Sequence, residues 1–153
     1  MSTLPSSRRE RTAPLVGAND ERVDRRRILP VGLAAIAITV VANVLVRAVG
    51  QAIFEIDDAF DPLATVFPTV MASVVYMLLA VGVFAVLVRY VARPLRFFRL
   101  VAVVALVLSY LPLLAQWSAE GASAGAITTL GAMHLVGFAA AVGLLTTRTR
   151  AAA

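Results

Sequence analysis

The chain has 153 residues, of which 60% are hydrophobic, and its mean hydropathy is +0.87. Soluble domains are about 45 to 50% apolar, so this composition excludes an ordinary water-soluble fold and indicates that lipid surrounds most of the protein. All 14 basic residues are arginine, the net charge is +5, and cysteine is absent, which excludes disulfides, thiolate metal sites and lysine Schiff-base chemistry.

The first 27 residues are predicted to form a flexible cytoplasmic tail, 1–27. This segment mixes Ser, Pro and Gly with seven arginines and four acidic residues, and its apolar surface is too small to offset the entropy of ordering. It lacks the apolar core and cleavage site of a secretory signal, so we expect the first apolar segment to remain as an anchor.

Four apolar segments are each long enough to cross a bilayer, for which a helix needs about 20 residues. Their predicted bounds are 28–50, 66–88, 98–117 and 122–147. The short connections leave no room for another folded domain, so we predict one membrane domain over 28–147 and a short cytoplasmic tail at 148–153. The expected fold is all-α, an integral membrane antiparallel four-helix bundle.

The charges between these segments predict the orientation of the protein. Thirteen of the 14 arginines lie before span 1, between spans 2 and 3 or in the first turn of span 3, or after span 4, and Arg47 is the exception. The link between spans 1 and 2 is acidic instead. The positive-inside rule then predicts a multi-pass protein of the bacterial inner (plasma) membrane with both termini in the cytoplasm. Because topology explains the basic charge, no nucleic-acid partner is expected.

Polar side chains inside the spans are predicted to lie at similar depths. At 1.5 Å per residue, five of them fall roughly 10 to 12 Å below the outer boundary, and two others fall at about 15 and 18 Å. The first group is Asn43, Ser73, Ser109, Tyr110 and Thr128, and the second is Tyr76 and His134. One interpretation is interhelical hydrogen bonding, worth about 0.6 kcal/mol per bond on average. The other is a polar cavity between the helices that holds a small molecule, an ion or water.

His134 is the only histidine of the chain and is predicted to lie close to the bilayer midplane. A buried ionisable group in a membrane is a functional candidate. The alternative is a neutral imidazole that donates to Tyr76, Ser109 or a carbonyl. Since a haem would need a second axial ligand, one histidine predicts no cofactor.

Arg47 lies in the outer part of span 1 and is the only arginine on the outer side of the predicted topology. We expect its side chain to reach the outer headgroups or to pair with Glu55, Asp57 or Asp58. Anion binding is the alternative.

The residue types missing from the spans disfavour catalysis and proton-driven transport. No span contains the Asp or Glu that coupled transporters usually place there. Ser109 with His134 is the only nucleophile and base pair, and no metal-ligand cluster or phosphate loop is present. We predict no catalytic residue and no metal site, and a structural or accessory membrane protein, with a small-molecule or ion-binding or transport bundle as the alternative. The expected partners are membrane lipids and a membrane protein or a second copy.

Short motifs in all four spans resemble those of one family. They are Asn43, Pro68, the turn at Arg93 and Pro94, the Ser-Tyr-Leu-Pro run of 109–112 and the Met-His-Leu-Val run of 133–136. Over about residues 28–147 the chain is similar to small four-span actinobacterial membrane proteins catalogued as domain of unknown function 6069. The resemblance implies a four-span topology without implying any activity.

Overall fold

The computed structural model describes residues 21–151, and within this range the regular secondary structure is entirely helical. In chain order the helices are α1 (Arg25–Phe54), α2 (Asp61–Ala64), α3 (Val66–Tyr90), α4 (Pro94–Ala115) and α5 (Ala124–Thr147), with a 3₁₀ turn at Gln116–Ser118. Four of them are long and apolar enough to cross a membrane. The predicted all-α fold with four membrane-length helices is confirmed. The first 20 residues of the predicted tail lie outside the described residues.

Local sequence explains where the long helices begin. Asp24 caps α1 by accepting the backbone N–H of Arg26 at 3.0 Å, and Ser123 caps α5 in the same way. Pro94 occupies the start of α4, where its missing N–H costs no helical hydrogen bond. Because Asp24 supplies the cap, α1 starts inside the segment that the sequence assigned to the tail.

The long helices pack with α1 against α3 and α5, and with α4 against the same two neighbours. Two glycines bring α1 and α5 especially close. A Cβ on Gly50 would clash with Oγ1 of Thr129, and a Cβ on Gly125 would clash with Cβ of Phe54. Small residues permit such close backbone approach between membrane helices, so these glycines fix the α1–α5 contact.

The interior is layered, with two apolar clusters separated by polar side chains. The cluster nearer the chain termini comprises Ala35, Met77, Phe84, Leu95, Phe98, Ala141 and Leu145. The cluster at the other end comprises Ile56, Phe60, Leu63, Leu113, Ala126, Ile127 and Met133. Between them lie the buried side chains of Thr39, Asn43 and Ser73. The polar groups thus occupy the middle of the molecule along the helix axes.

The acidic link between α1 and α3 folds over one end of the helices. Phe60 and Leu63 are completely buried, while the carboxylates remain exposed. The backbone of Phe60 lies against the turn before α5, where Gly121 has a φ of +69°. We call this the acidic end, defined by Glu55, Asp57, Asp58, Asp61 and Glu120. The link is therefore a packed cap, which the sequence pattern did not indicate.

The two ends of the described chain meet at the opposite end. The backbone N–H of Asp24 donates to the carbonyl of Thr149 at 2.8 Å, and that of Ala151 donates to Arg22 at 2.9 Å. Both segments belong to tails in the sequence-based division. These hydrogen bonds place the start of α1 beside the end of α5.

The link between α3 and α4 lies at this same end. Arg96 approaches a carboxylate oxygen of Glu21 at 3.8 Å, and Arg99 donates to the hydroxyl of Thr146 at 3.4 Å. We call this the basic end, and it holds ten of the eleven arginines of residues 21–151. They are Arg22, Arg25, Arg26, Arg27, Arg89, Arg93, Arg96, Arg99, Arg148 and Arg150.

Candidate functional site

A buried hydrogen bond joins α1 and α3 in the polar layer. The Nδ2 of Asn43 donates to the hydroxyl of Ser73 at 2.9 Å, and that hydroxyl donates to the carbonyl of Thr69 at 2.7 Å. Asn43 lies four residues after Thr39, and Ser73 lies four residues after Thr69, so each pair lies on one face of its helix. The contact is an interhelical hydrogen bond between two predicted site residues.

Three buried oxygens along this seam have no hydrogen-bond partner among the described residues. They are Oγ1 of Thr39, Oδ1 of Asn43 and Oγ1 of Thr69. The helices run in opposite directions, so Thr39 and Thr69 lie about one turn on either side of the Asn43–Ser73 bond, roughly 12 Å apart along the axis. A buried polar atom without a partner is costly, so each position favours a water or a polar ligand atom. The three oxygens follow the seam without converging on one point.

A second polar contact joins α4 and α5. The hydroxyl of Tyr110 donates to the carbonyl of Gly131 at 3.2 Å, and the ring centroid of Tyr110 lies 6.1 Å from that of His134. The Nδ1 of His134 lies 2.8 Å from the carbonyl of Leu130. Since a carbonyl only accepts, Nδ1 carries the proton in this bond. His134 therefore donates to a carbonyl of its own helix, and not to Tyr76 or Ser109.

Three residues of the predicted layer lie apart from both contacts. The side chain of Tyr76 is 68% exposed on α3, and the hydroxyl of Ser109 donates to the carbonyl of Leu106 in its own helix at 2.7 Å. Thr128 is also exposed and bonds within its helix to Ala124. The predicted single layer thus separates into an α1–α3 pair and an α4–α5 pair.

The hydrogen-bond partners of Arg47 differ from those that the sequence predicts. Its Nε and Nη2 donate to the carbonyl of Leu63 at 3.0 and 2.8 Å, and Nη2 also donates to Ala64 at 3.0 Å. Gln51 donates to the same Leu63 carbonyl at 3.1 Å. The last carbonyls of a helix lack partners within it and carry partial negative charge. The C-terminal carbonyls of α2 therefore take the place of the expected carboxylates.

Some members of these contacts could not be identified from the sequence. The spacing of Thr69 and Ser73 matches that of Thr39 and Asn43, and this repeat could have indicated Thr69. The carbonyls of Leu63 and Ala64 carry no sequence signal, because they become acceptors only through the fold of the link. Gly50 likewise acquires its role only through contact with Thr129.

The arrangement as a whole binds helices to one another, and its chemistry is that of neutral hydrogen bonds plus one guanidinium. Within residues 21–151, no group of three His, Asp or Glu side chains is placed to hold a metal ion. No curated protein and no solved structure matches the chain. The model described as "Family of unknown function (DUF6069)" matches residues 20–153, and the chain belongs to this family.

Proposed function

We propose that the protein is a non-enzymatic integral membrane protein of the bacterial plasma membrane with a structural or accessory role. One observation carries the proposal: two interior polar side chains, one on α1 and one on α4, join their helix to a neighbouring helix. Asn43 on α1 donates to Ser73 on α3, and Tyr110 on α4 donates to Gly131 on α5. Such bonds are typical of packing between membrane helices. The result is a stable support for two oppositely charged ends.

Both termini are proposed to lie in the cytoplasm. Ten arginines gather at the basic end, where residues 21–24 and 148–151 also lie, and short basic segments are retained on the cytoplasmic side. The acidic end then faces outward. Lipids surround the long helices, and the charged ends are the surfaces offered to a membrane-protein partner or a second copy.

A ligand-binding or transport bundle is the second candidate function, and the partnerless oxygens of Thr39, Asn43 and Thr69 favour it. Water or a small polar ligand on the α1–α3 seam would supply their missing hydrogen bonds. The α4–α5 pair would contribute His134 as the ionisable group.

Thermal unfolding of the purified protein with a panel of ions and metabolites separates the two functions. The variants are Asn43→Ala, His134→Ala and, as a matched control on an open surface, Gly143→Ala. For a structural role we expect every variant to insert into the membrane, and no panel member to shift the unfolding temperature of any variant. Asn43→Ala is expected to lower the free energy of unfolding by about 0.5 to 1.5 kcal/mol, because an interhelical hydrogen bond is removed. His134→Ala removes a hydrogen bond within its own helix and the ring contact with Tyr110, but no hydrogen bond between helices, and is expected to be milder.

The opposite result has a clear signature. A compound that raises the unfolding temperature of the wild type and the control, but not that of folded Asn43→Ala or His134→Ala, would establish the ligand-binding function and reject the structural one. An absorption spectrum with haem bands that disappear in His134→Ala would do the same.

A further inference from the structure

A groove of about 530 Å³ opens between α1 and α3 at the basic end. Arg25 and Ile28 line it from α1, and Arg89 and Tyr90 line it from the end of α3. The guanidinium of Arg25 reaches the carbonyl of Val88 at 3.4 Å, and that of Arg89 lies 5.7 Å from the ring centroid of Tyr90. Each arginine is thus oriented by one contact and retains several N–H donors.

A second groove, of about 610 Å³, runs along the face of α3 that points away from the other helices and is lined by apolar residues. Val86 lines both grooves, so the charged one continues into the apolar one. Gly82 lies midway along the second groove, and nothing lies within 4 Å of the position that its Cβ would take. The absent side chain leaves a depression in an otherwise bulky surface of Val and Leu.

The apolar groove has the length of one lipid leaflet. It extends from Val75 to Leu87, which spans about 18 Å at 1.5 Å per residue. Half of a hydrocarbon core is about 15 Å. A lipid whose headgroup lay at the charged groove would therefore extend its acyl chain along this face of α3.

The charge of the first groove selects the headgroup. The two ion pairs of the described residues, Arg27 with Asp24 and Arg96 with Glu21, involve other arginines. Arg25 is also the first residue of α1, whose N-terminus carries partial positive charge. Guanidinium groups bind phosphate through paired N–H donors.

We propose that these joined grooves bind one anionic phospholipid, with its phosphate between Arg25 and Arg89 and an acyl chain over Gly82. The occupant is a lipid and not free phosphate, because the charged groove continues into an apolar one of leaflet length. Tyr90, which is 75% exposed, lies at the boundary between headgroup and chain, where aromatic rings prefer to sit.

Fluorescence quenching in reconstituted vesicles tests the site. Trp117 is the only tryptophan, so the full-length parent carries Trp117→Phe and Tyr90→Trp, which places the reporter in the groove. It is mixed into phosphatidylcholine vesicles with rising fractions of chain-brominated phosphatidylglycerol or chain-brominated phosphatidylcholine. We expect half-quenching at a much lower fraction of brominated phosphatidylglycerol than of brominated phosphatidylcholine. Each arginine is expected to contribute a factor of about five to this preference.

Arg25→Gln with Arg89→Gln removes the two cations of the groove and should abolish most of this preference. The matched control, Arg93→Gln with Arg148→Gln, removes the same charge from exposed positions of the basic end outside the groove, and should retain it. Gly82→Leu fills the depression in open space, so the protein should fold normally but show weaker quenching by the brominated anionic chain.

Three outcomes would overturn the proposal. The first is equal quenching of the parent by both lipids. The second is a control pair that loses as much preference as the groove pair, since general surface charge would then explain the effect. The third is loss of the preference when millimolar inorganic phosphate is added, because the groove would then bind free phosphate. Unchanged quenching in Gly82→Leu would reject the chain position.

Discussion

At the scale of single residues, two glycines show how differently the same residue is constrained in this protein. Gly121 adopts a φ of +69° in the turn before α5, and a Cβ there would lie 2.7 Å from the backbone nitrogen of Phe60. Gly143 is helical, and nothing lies within 4 Å of its missing Cβ. An added methyl group therefore meets backbone at the first position and open space at the second.

We predict that Gly121→Ala destabilises the protein by about 2 kcal/mol or more. The left-handed conformation alone costs an alanine about 1 to 2 kcal/mol, and the backbone of Phe60 cannot move away without displacing the buried cap. The free energy of unfolding in mixed micelles measures this loss. Gly143→Ala is the control and should unfold at the wild-type denaturant concentration or slightly above it. Equal stability of the two variants would contradict the packing of the cap on this turn.

Neighbouring residues on α3 show what could not be obtained from the sequence at this scale. A count along the helix gives the depth of a side chain, but successive residues differ by about 100° in direction. Tyr76 was assigned to the polar layer by depth and is 68% exposed, whereas the next residue, Met77, is 3% exposed in the core. Direction depends on which face of α3 meets α1, and that is a property of packing.

At the scale of elements, the four long helices were predictable because length and hydropathy alone determine a membrane-spanning helix. The short helix α2 was not. Its four residues are too few to show a periodic pattern. The helix is stabilised because the side chains of Phe60 and Leu63 are buried and because Arg47 donates to its last two carbonyls. The side chain that the sequence assigned to headgroups or carboxylates thus holds the cap in place.

We predict that Arg47→Leu loosens the cap while leaving the long helices folded. The change removes three contacts in which Arg47 donates to the carbonyls of Leu63 and Ala64. A hydrogen bond from a charged group contributes about 1.5 to 3 kcal/mol to stability. Hydrogen–deuterium exchange of the full chain in micelles should show faster exchange across 56–64, with slow exchange retained in the middle of α1 and α3.

A neighbouring substitution controls for general disturbance of α1. Gln51→Ala removes a single contact to the same Leu63 carbonyl and should accelerate exchange in the cap only slightly. Unchanged exchange at Leu63 and Ala64 in Arg47→Leu would show that apolar burial of the link is sufficient without the guanidinium.

At the scale of the whole molecule, charge and polarity divide the protein along one axis. The basic end, the first apolar cluster, the polar layer, the second apolar cluster and the acidic end follow one another along the helices. The sequence predicted the charge separation, since the arginines flank alternate connections. It could not predict that residues 21–24 and 148–151 would hydrogen-bond to each other, because that contact joins the two most distant parts of the described chain.

The separation of the basic end from the acidic end predicts the result of a labelling experiment on intact spheroplasts. The chain has no cysteine, so a single introduced cysteine reports one location without further changes. Asp58→Cys is exposed at the acidic end and Ala151→Cys is exposed at the basic end. We expect an impermeant maleimide to label Asp58→Cys in intact spheroplasts and to label Ala151→Cys only after lysis, because short basic segments stay in the cytoplasm.

A third cysteine position, Arg22, allows the experiment to test both the topology and the orientation. Arg22→Cys lies beside Ala151 across the contact between the two chain ends and must behave as Ala151→Cys does if α1 and α5 end on the same side. Labelling of Ala151→Cys but not Asp58→Cys in intact spheroplasts would reverse the orientation while leaving the fold unchanged. Different behaviour of Arg22→Cys and Ala151→Cys would contradict the fold itself, since an even number of crossings keeps both ends on one side.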